Sequence, residues 1–68
     1  MVLNGEPREV PDGLTLEGLL AWLKLPQDRV AVEHNLRIAP RDVWPKATVA
    51  AGDRVEIVHF VGGGAVDQ

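Results

Sequence analysis

This 68-residue chain contains no cysteine, no serine and no tyrosine. The absence of cysteine excludes disulfide frameworks, thiolate zinc sites and cysteine nucleophiles. Thr15 and Thr48 carry the only hydroxyl side chains, and nucleophilic catalysis has no candidate residue. We therefore expect a protein that is not itself an enzyme.

Basic residues are also few, with 7 Lys and Arg against 10 Asp and Glu. The formal net charge of −3 argues against a nucleic-acid partner, because a phosphate backbone favours clustered positive charge. No apolar run approaches the roughly 18 residues that span a bilayer, and the first residues lack the basic-then-apolar pattern of a signal peptide. The expected location is the cytoplasm, without nucleic-acid or membrane contact.

Metal ligands and acid–base pairs are missing as well. His34 and His59 stand without a second ligand at metal-site spacing. Asp and Glu residues are dispersed, and no pair is placed for general acid–base catalysis. We expect no bound metal or cofactor, and we expect both histidines to be structural or surface groups.

The length permits a single domain, which at this size buries only about 60% of the surface of the extended chain. No internal repeat or interdomain linker interrupts it. We place a folded domain at residues 1–61 and a flexible C-terminal tail at residues 62–68.

The first residues predict a β-hairpin. Asn4-Gly5 is a preferred pair in a two-residue hairpin turn, where both residues need positive φ. It separates predicted strands at residues 1–3 and 6–10. Because Pro7 has no N–H for a ladder, it is expected at the start or edge of the second strand.

A helix follows the hairpin. Thr15 is a suitable N-cap. Apolar residues then recur at the i, i+3, i+4, i+7 spacing of one buried helix face: Leu16, Leu19, Leu20 and Leu23. Pro26 is expected to end this helix.

The second half of the chain predicts three strands. Residues 29–33 alternate, with Val30 and Val32 on the buried side. A brief strand is expected at residues 37–39, and the strongest strand pattern lies at residues 54–61.

This order of elements favours an α+β fold, the ubiquitin-like β-grasp, with a mixed sheet of about five strands and one main helix packed across it. A helical connection in a sheet is normally a right-handed crossover between parallel strands, so we expect the third strand to lie parallel to its sheet neighbour. A single turn before the final strand is expected to insert Val43 or Trp44 into the core.

The final strand predicts two different faces. Val55 and Ile57 fall on the core side, whereas the outward row continues into Val58 and Phe60. Two large apolar side chains beside a tail form a candidate partner-binding patch. The alternative is that they are scattered surface residues without a role.

Three glycines, Gly62, Gly63 and Gly64, follow this strand. A segment without Cβ atoms is thin and can approach another backbone closely, although a merely flexible terminus has the same composition. A phosphate-binding loop is a poor alternative, because no Lys-Ser/Thr pair and no helix start follow the glycines.

Three blocks of sequence carry a family resemblance. They are Val2-Leu3-Asn4-Gly5-Glu6; Val30-Ala31-Val32-Glu33-His34-Asn35 with Ile38-Ala39-Pro40-Arg41 and Trp44; and Gly52-Asp53-Arg54-Val55-Glu56-Ile57-Val58 running into Phe60-Val61-Gly62-Gly63-Gly64. Together they resemble the ThiS sulfur carriers of thiamine biosynthesis over residues 1–64. The combination of Pro-Arg-x-x-Trp, Gly-Asp-x-Val and a terminal glycine pair makes the resemblance specific.

The resemblance implies a protein substrate that carries sulfur. A ThiF-like adenylyltransferase would activate the carboxylate of Gly64, which Gly63 precedes, using MgATP. A sulfurtransferase would supply persulfide sulfur to give a C-terminal thiocarboxylate, and a ThiG-like thiazole synthase would take this sulfur into the thiazole of thiamine. A monomer is expected when the carrier is free. Partner docking is then expected at the root of the tail: Val58, Phe60, Val61 and Gly62.

The sequence departs from the family pattern at residues 65–68, because the family usually stops at the glycine pair. With these residues attached, Gly64 has a peptide carbonyl and no carboxylate. We hypothesise that a processing protease removes them. A carrier that has lost the activation step is the alternative.

Other functions with the same terminal chemistry stay open. Related carriers serve molybdopterin synthase, tRNA thiolation or cysteine synthesis, although the Pro40-Arg41 and Trp44 block favours the thiamine branch. A ubiquitin-like conjugation module would use such a tail for isopeptide bonds. The acidic charge disfavours an RNA-binding regulatory module.

Overall fold

A computed structural model describes residues 1–60 of the chain. Five strands form one mixed sheet in the order β2-β1-β5-β3-β4, and one helix packs across it, as the sequence predicts. The elements are β1 (Val2–Leu3), β2 (Glu6–Pro7), α1 (Leu16–Trp22), β3 (Val30–His34), β4 (Arg37–Ala39) and β5 (Arg54–His59). The predicted domain end at residue 61 and the predicted tail at residues 62–68 lie outside the described residues.

The first hairpin forms around the predicted turn. Asn4 has a φ of 52° and Gly5 a φ of 84°, the positive values that a two-residue turn of this kind requires. Strand β2 is shorter than predicted and covers only Glu6–Pro7. It lies at the edge of the sheet, where the missing N–H of Pro7 leaves no ladder bond unmade.

Helix α1 is capped at both ends by local hydrogen bonds. The Thr15 hydroxyl accepts a hydrogen bond from the Gly18 N–H at 3.0 Å, which confirms the predicted N-cap. The helix ends at Trp22, before Pro26, because the chain turns at Lys24 with a φ of 61°. The Lys24 and Leu25 N–H groups then donate back to the Ala21 and Leu20 carbonyls, each at 3.0 Å, closing a Schellman motif.

The core lies between α1 and the inner face of the sheet. Its buried apolar residues are Leu3, Leu16, Leu19, Leu20, Val30, Val32, Trp44, Val49, Val55 and Ile57. Trp44 is the residue of the predicted turn that enters the core, whereas Val43 is half-buried. The Trp44 indole N–H donates to the Ala39 carbonyl at 2.8 Å, so the buried ring keeps its hydrogen bond.

The predicted parallel pairing of the third strand is wrong. Strand β3 is antiparallel to both of its neighbours, β4 and β5, and the parallel pair is β1 with β5. Strands β2 and β3 do run in the same direction across the helical connection, but β1 and β5 separate them in the sheet. The error arose because β2 lies at the edge of the sheet, and the helical connection crosses over β1 and β5 before β3 begins.

A polar cluster ties the β3–β4 turn to the loop before β5. One oxygen of Asp53, Oδ2, accepts the Ala50 N–H at 2.9 Å and lies 2.8 Å from Nε2 of His34. Asn35 donates its side-chain amide to the other oxygen at 3.3 Å and accepts the Arg54 N–H at 2.9 Å. The hydrogen bond from Ala50, followed by that from His34, lowers the pKa of Asp53.

This cluster gives His34 the structural role expected of it, with a partner, Asp53, that was not predicted from the sequence. His34 and Asp53 are 19 positions apart, and no local pattern links them. Within residues 1–60, no group of three or more His, Cys, Asp or Glu side chains is placed to hold a metal ion. No helix among the described residues has the length and apolar character to cross a bilayer.

The β3–β4 turn generates one prediction. Its central residues, Asn35 and Leu36, have φ values of 54° and 71°, and a bulky side chain in this region is strained. We expect Leu36→Gly to raise the free energy of unfolding by about 1 kcal/mol, since glycine adopts positive φ without steric cost. Chemical denaturation measures the change.

Leu36→Ala is the matched control, because it removes the same exposed side chain but retains a Cβ. If both variants stabilise the protein equally, exposure of the leucine and not backbone strain explains the gain.

The Asp53 cluster generates a second prediction. We expect Asp53→Asn to lower the free energy of unfolding by about 1 kcal/mol at neutral pH, because hydrogen bonds to a charged acceptor are lost. The folded-state pKa lies below the usual 3.8, so the contribution of the carboxylate is complete above 3.8 and disappears as the pH falls through the lower folded value. Wild type and variant should therefore converge in acid.

Thermal unfolding at a series of pH values measures this convergence. Asp12→Asn, at an exposed turn position, serves as the control. A stability difference between wild type and Asp53→Asn that stays constant into strong acid contradicts the assignment.

Candidate functional site

The candidate site is the face of the sheet that points away from α1. Along β5, Val55 and Ile57 are buried on the helix side. The alternate residues point the other way, and Val58 is 59% exposed. Phe60, just past the end of β5, is 56% exposed. The two faces of this strand are thus arranged as the sequence predicts.

The strand ends slightly earlier than predicted, at His59 instead of residue 61. Phe60 nevertheless stays attached to the sheet, since its N–H donates to the Arg29 carbonyl at 2.8 Å. Its exposed ring is therefore carried on an anchored backbone. Of the predicted site residues, Val61, Gly62, Gly63 and Gly64 lie outside the described residues, and their roles stay predictions.

Two further residues join Val58 and Phe60 on this face. Ala31 lies directly opposite Val58 in the β3–β5 register. Ile38, on β4, lies opposite Glu33 of β3 and is 68% exposed. We call Ala31, Ile38, Val58 and Phe60 the outer patch.

The contribution of Ile38 was not predicted from the sequence. Strand β4 is only three residues long, too short for an alternating pattern to show which side is buried. Only the pairing of β4 with β3 places Ile38 beside the apolar residues of β5. The remaining large exposed apolar side chain on the helix, Trp22, is partly covered by the guanidinium of Arg8, 5.5 Å from the ring centroid.

Long-range hydrogen bonds hold β5 in place beneath the outer patch. The Val2 N–H donates to the Asp53 carbonyl and the Asn4 N–H to the Val55 carbonyl, each at 2.9 Å. The Asn4 side chain also accepts the Ile57 N–H at 2.7 Å. A partner that binds the outer patch therefore meets a surface that is already ordered, which reduces the entropy lost on binding.

Among solved structures, the chain is similar to a crystal structure of the thiamine biosynthesis protein ThiS from Geobacter metallireducens. The TM-score is 0.80 with 38% sequence identity, covering 93% of this chain and 96% of the other. This similarity confirms the ubiquitin-like β-grasp fold predicted from the order of elements.

The relatives that match the sequence include a sulfur carrier and two thiazole synthases. The sulfur carrier protein ThiS of Bacillus subtilis is 40% identical over 63 residues, covering 91% of this chain and 96% of the relative. The thiazole synthase of Paramagnetospirillum magneticum is 43% identical over 65 residues, covering 96% of this chain. The thiazole synthase of Magnetococcus marinus is 44% identical over 62 residues, covering 91% of this chain. The chain spans only 20% and 19% of the length of these two thiazole synthases.

The model of the ThiS family matches residues 1–64, the same span over which the sequence blocks resemble these carriers. Fold, family match and relatives agree, and the chain belongs to the ThiS family.

Proposed function

We propose that this chain is a sulfur carrier for thiazole formation in thiamine biosynthesis, loaded with sulfur on the terminal carboxylate of Gly64. The observation that carries the proposal is the match to the ThiS family over residues 1–64. The matched region includes Gly62, Gly63 and Gly64 and ends at the last of them. The sulfur carrier from Bacillus subtilis supports the same function.

The proposed chemistry explains why the chain needs no thiol. A carboxylate is a poor electrophile until one of its oxygens becomes part of a good leaving group. A ThiF-like adenylyltransferase supplies this group by forming the acyl adenylate with MgATP. The persulfide of a sulfurtransferase then displaces AMP and forms an acyl disulfide. A thiol of a partner enzyme cleaves the S–S bond, becomes part of a new disulfide, and leaves the sulfur on the carrier as a thiocarboxylate. In this proposal the chain acts as a co-substrate and requires no metal or cofactor of its own.

The glycines suit passage through a narrow active site. Residues 61–64 reach roughly 14 Å when fully extended, which lets the end enter a cleft while the domain docks outside. A Cβ at Gly63 or Gly64 would widen the chain at the point where the adenylate must form. Val61 and Gly62 form the root of this tail in the proposal, next to Phe60.

The outer patch is the proposed docking surface for the partners. Val58 and Phe60 are exposed on the strand that leads towards Gly62, so a partner in contact with them lies close to the start of the tail. The ThiF-like adenylyltransferase and a ThiG-like thiazole synthase would use this face in turn. The two thiazole synthases that match this chain support thiazole synthase as one of these partners.

The residues after Gly64 must be removed before activation. Ala65 follows Gly64 in the sequence, and a peptide carbonyl cannot form an acyl adenylate by attack on MgATP. A processing protease that cleaves after Gly64 is therefore part of the proposal. Mass spectrometry of the protein from its native host tests it, because active carrier that always retains residues 65–68 contradicts the cleavage.

The terminal chemistry generates a prediction for Gly64. In the chain trimmed to residues 1–64, we expect Gly64→Ala to leave folding unchanged and to reduce adenylation at least tenfold, since the added Cβ obstructs a tightly fitting site. Release of pyrophosphate, measured with the host adenylyltransferase and MgATP, gives the rate. Mass spectrometry after addition of a sulfide source detects the exchange of one terminal oxygen for sulfur.

Gly18→Ala is the control for an added Cβ elsewhere. At that position the Cβ would meet the nearest side-chain atoms at 3.4 Å, so folding and adenylation should be retained. Equal adenylation of Gly64→Ala and wild type overturns the tail assignment. Lysine adducts in place of a thiocarboxylate indicate conjugation instead of sulfur transfer.

The docking surface generates a prediction for Phe60. We expect Phe60→Asp to change the free energy of unfolding by less than about 0.5 kcal/mol, because the ring is mostly exposed. Association with the host adenylyltransferase should weaken by about tenfold or more, since an apolar anchor is lost. Calorimetric titration measures the affinity, and thermal unfolding measures the stability.

Trp22→Asp provides the comparison, because it places the same charge at an exposed aromatic position on the helix, away from the outer patch. If the two variants bind the adenylyltransferase equally well, the outer patch is not the docking surface.

A further inference from the structure

Two glutamates face each other in the middle of the candidate site. Glu33 of β3 and Glu56 of β5 are register partners, so their side chains leave the same face of the sheet. Ile38 lies on the other side of Glu33 in the same row, and Ala31 and Val58 form the next outward row. Both glutamates are half-buried. An acidic pair is thus embedded in the outer patch.

This arrangement is unfavourable for the isolated domain. Like charges directly opposite each other on neighbouring strands destabilise a sheet, and partial burial reduces the screening of their repulsion by water. The side chains of residues 1–60 form an ion pair only between His34 and Asp53. Neither glutamate therefore has a cationic partner within the described part of the chain.

The positive charges on this face lie at its ends. Arg54 precedes Glu56 by two positions on the same face of β5, and its N–H bonds to Asn35 at the β3–β4 turn. Arg29 lies next to Phe60, whose N–H its carbonyl accepts. Among residues 1–60, the centre of this face is therefore acidic and apolar, and the cations lie at its ends.

Folding does not explain the glutamate pair. The register of β3 and β5 is already specified by Val30, Val32, Val55 and Ile57 on the buried face. An uncharged residue at either glutamate position would keep this register without repulsion. The pair is better explained by a positive charge that arrives from outside the chain.

We propose that thiazole synthase docks on the outer patch and places one arginine or lysine between the carboxylates of Glu33 and Glu56. The proposal rests on the sulfur-carrier function above, which makes thiazole synthase the acceptor. The complementary surface on thiazole synthase would be a single cationic side chain surrounded by apolar side chains, and these would cover Ile38, Val58 and Phe60. An arginine suits the site best, because its planar group offers hydrogen bonds to two carboxylates at once.

Charge complementarity also selects against self-association. A second copy docked patch to patch about the same centre would bring four carboxylates together, which adds to the repulsion instead of relieving it. A basic partner neutralises the two carboxylates and also makes apolar contacts with the residues of the outer patch.

The test uses the full chain and the purified thiazole synthase of the same host. The double variant Glu33→Gln/Glu56→Gln should bind thiazole synthase at least about tenfold more weakly than wild type, with a smaller loss of affinity on adding salt. Its thermal stability should equal or exceed that of wild type, because the repulsion is gone. Calorimetric titration at low and high salt gives both affinities and their salt dependence.

The matched control is Glu6→Gln/Glu9→Gln, which changes the net charge equally at exposed positions away from the outer patch. If both double variants bind with the same affinity and the same salt dependence, the proposal is overturned. Failure of wild type to bind thiazole synthase, or its dimerisation through this face in sedimentation, overturns it as well. Loading of sulfur on the trimmed chain is measured separately, so failure of the sulfur-carrier function is distinguishable from failure of the docking proposal.

Discussion

The central position of β5 is the constraint on which the rest of the structure depends. This strand pairs with β1 in parallel and with β3 in antiparallel orientation, and it joins the two halves of the sheet. Its inward residue Val55 is completely buried. Because β5 lies between β1 and β3, the first hairpin and the β3–β4 hairpin belong to one sheet only through this strand. The pairing of β1 with β5 joins residues far apart in sequence, and such contacts slow folding because a long loop must close first.

The same strand connects stability with the proposed function. Successive side chains of a strand point to opposite faces, so Val55 and Ile57 can serve the core while Glu56 and Val58 serve a partner. A slip of one residue in register would exchange these two sets of side chains. The hydrogen bonds of Asn4 and of the Asp53 cluster prevent such a slip because they fix the position of β5 along its neighbours. The outer patch is therefore attached to a rigid base, and the tail that the proposal uses begins where this base ends.

Features that depend on neighbouring residues could be predicted from the sequence, whereas features that join distant segments could not. Local signals were right: the Asn4-Gly5 turn, the Thr15 cap and the alternation in β5 each depend on residues within a few positions of one another. Errors arose where distant segments meet. The third strand has no parallel neighbour because β1 and β5 separate it from β2, and the hydrogen bond between His34 and Asp53 spans 19 positions. Strand β4 was located correctly, but its exposed Ile38 was not recognised as part of the candidate site.

The sequence by itself determined which catalytic and metal-binding chemistry is excluded and where the turns, the helix cap and the strand faces lie. It has no thiol, no serine and no paired metal ligands, and its turns, helix cap and two-faced final strand follow from local residue preferences. Only the tertiary structure decided which strands are neighbours. It thereby placed Ile38 beside Val58 and set Glu33 opposite Glu56. The physical reason is that hydrophobic patterning specifies which face of a strand is buried but not which strands are neighbours. Neighbouring strands are joined by backbone N–H and C=O groups, and nearly every residue carries the same pair.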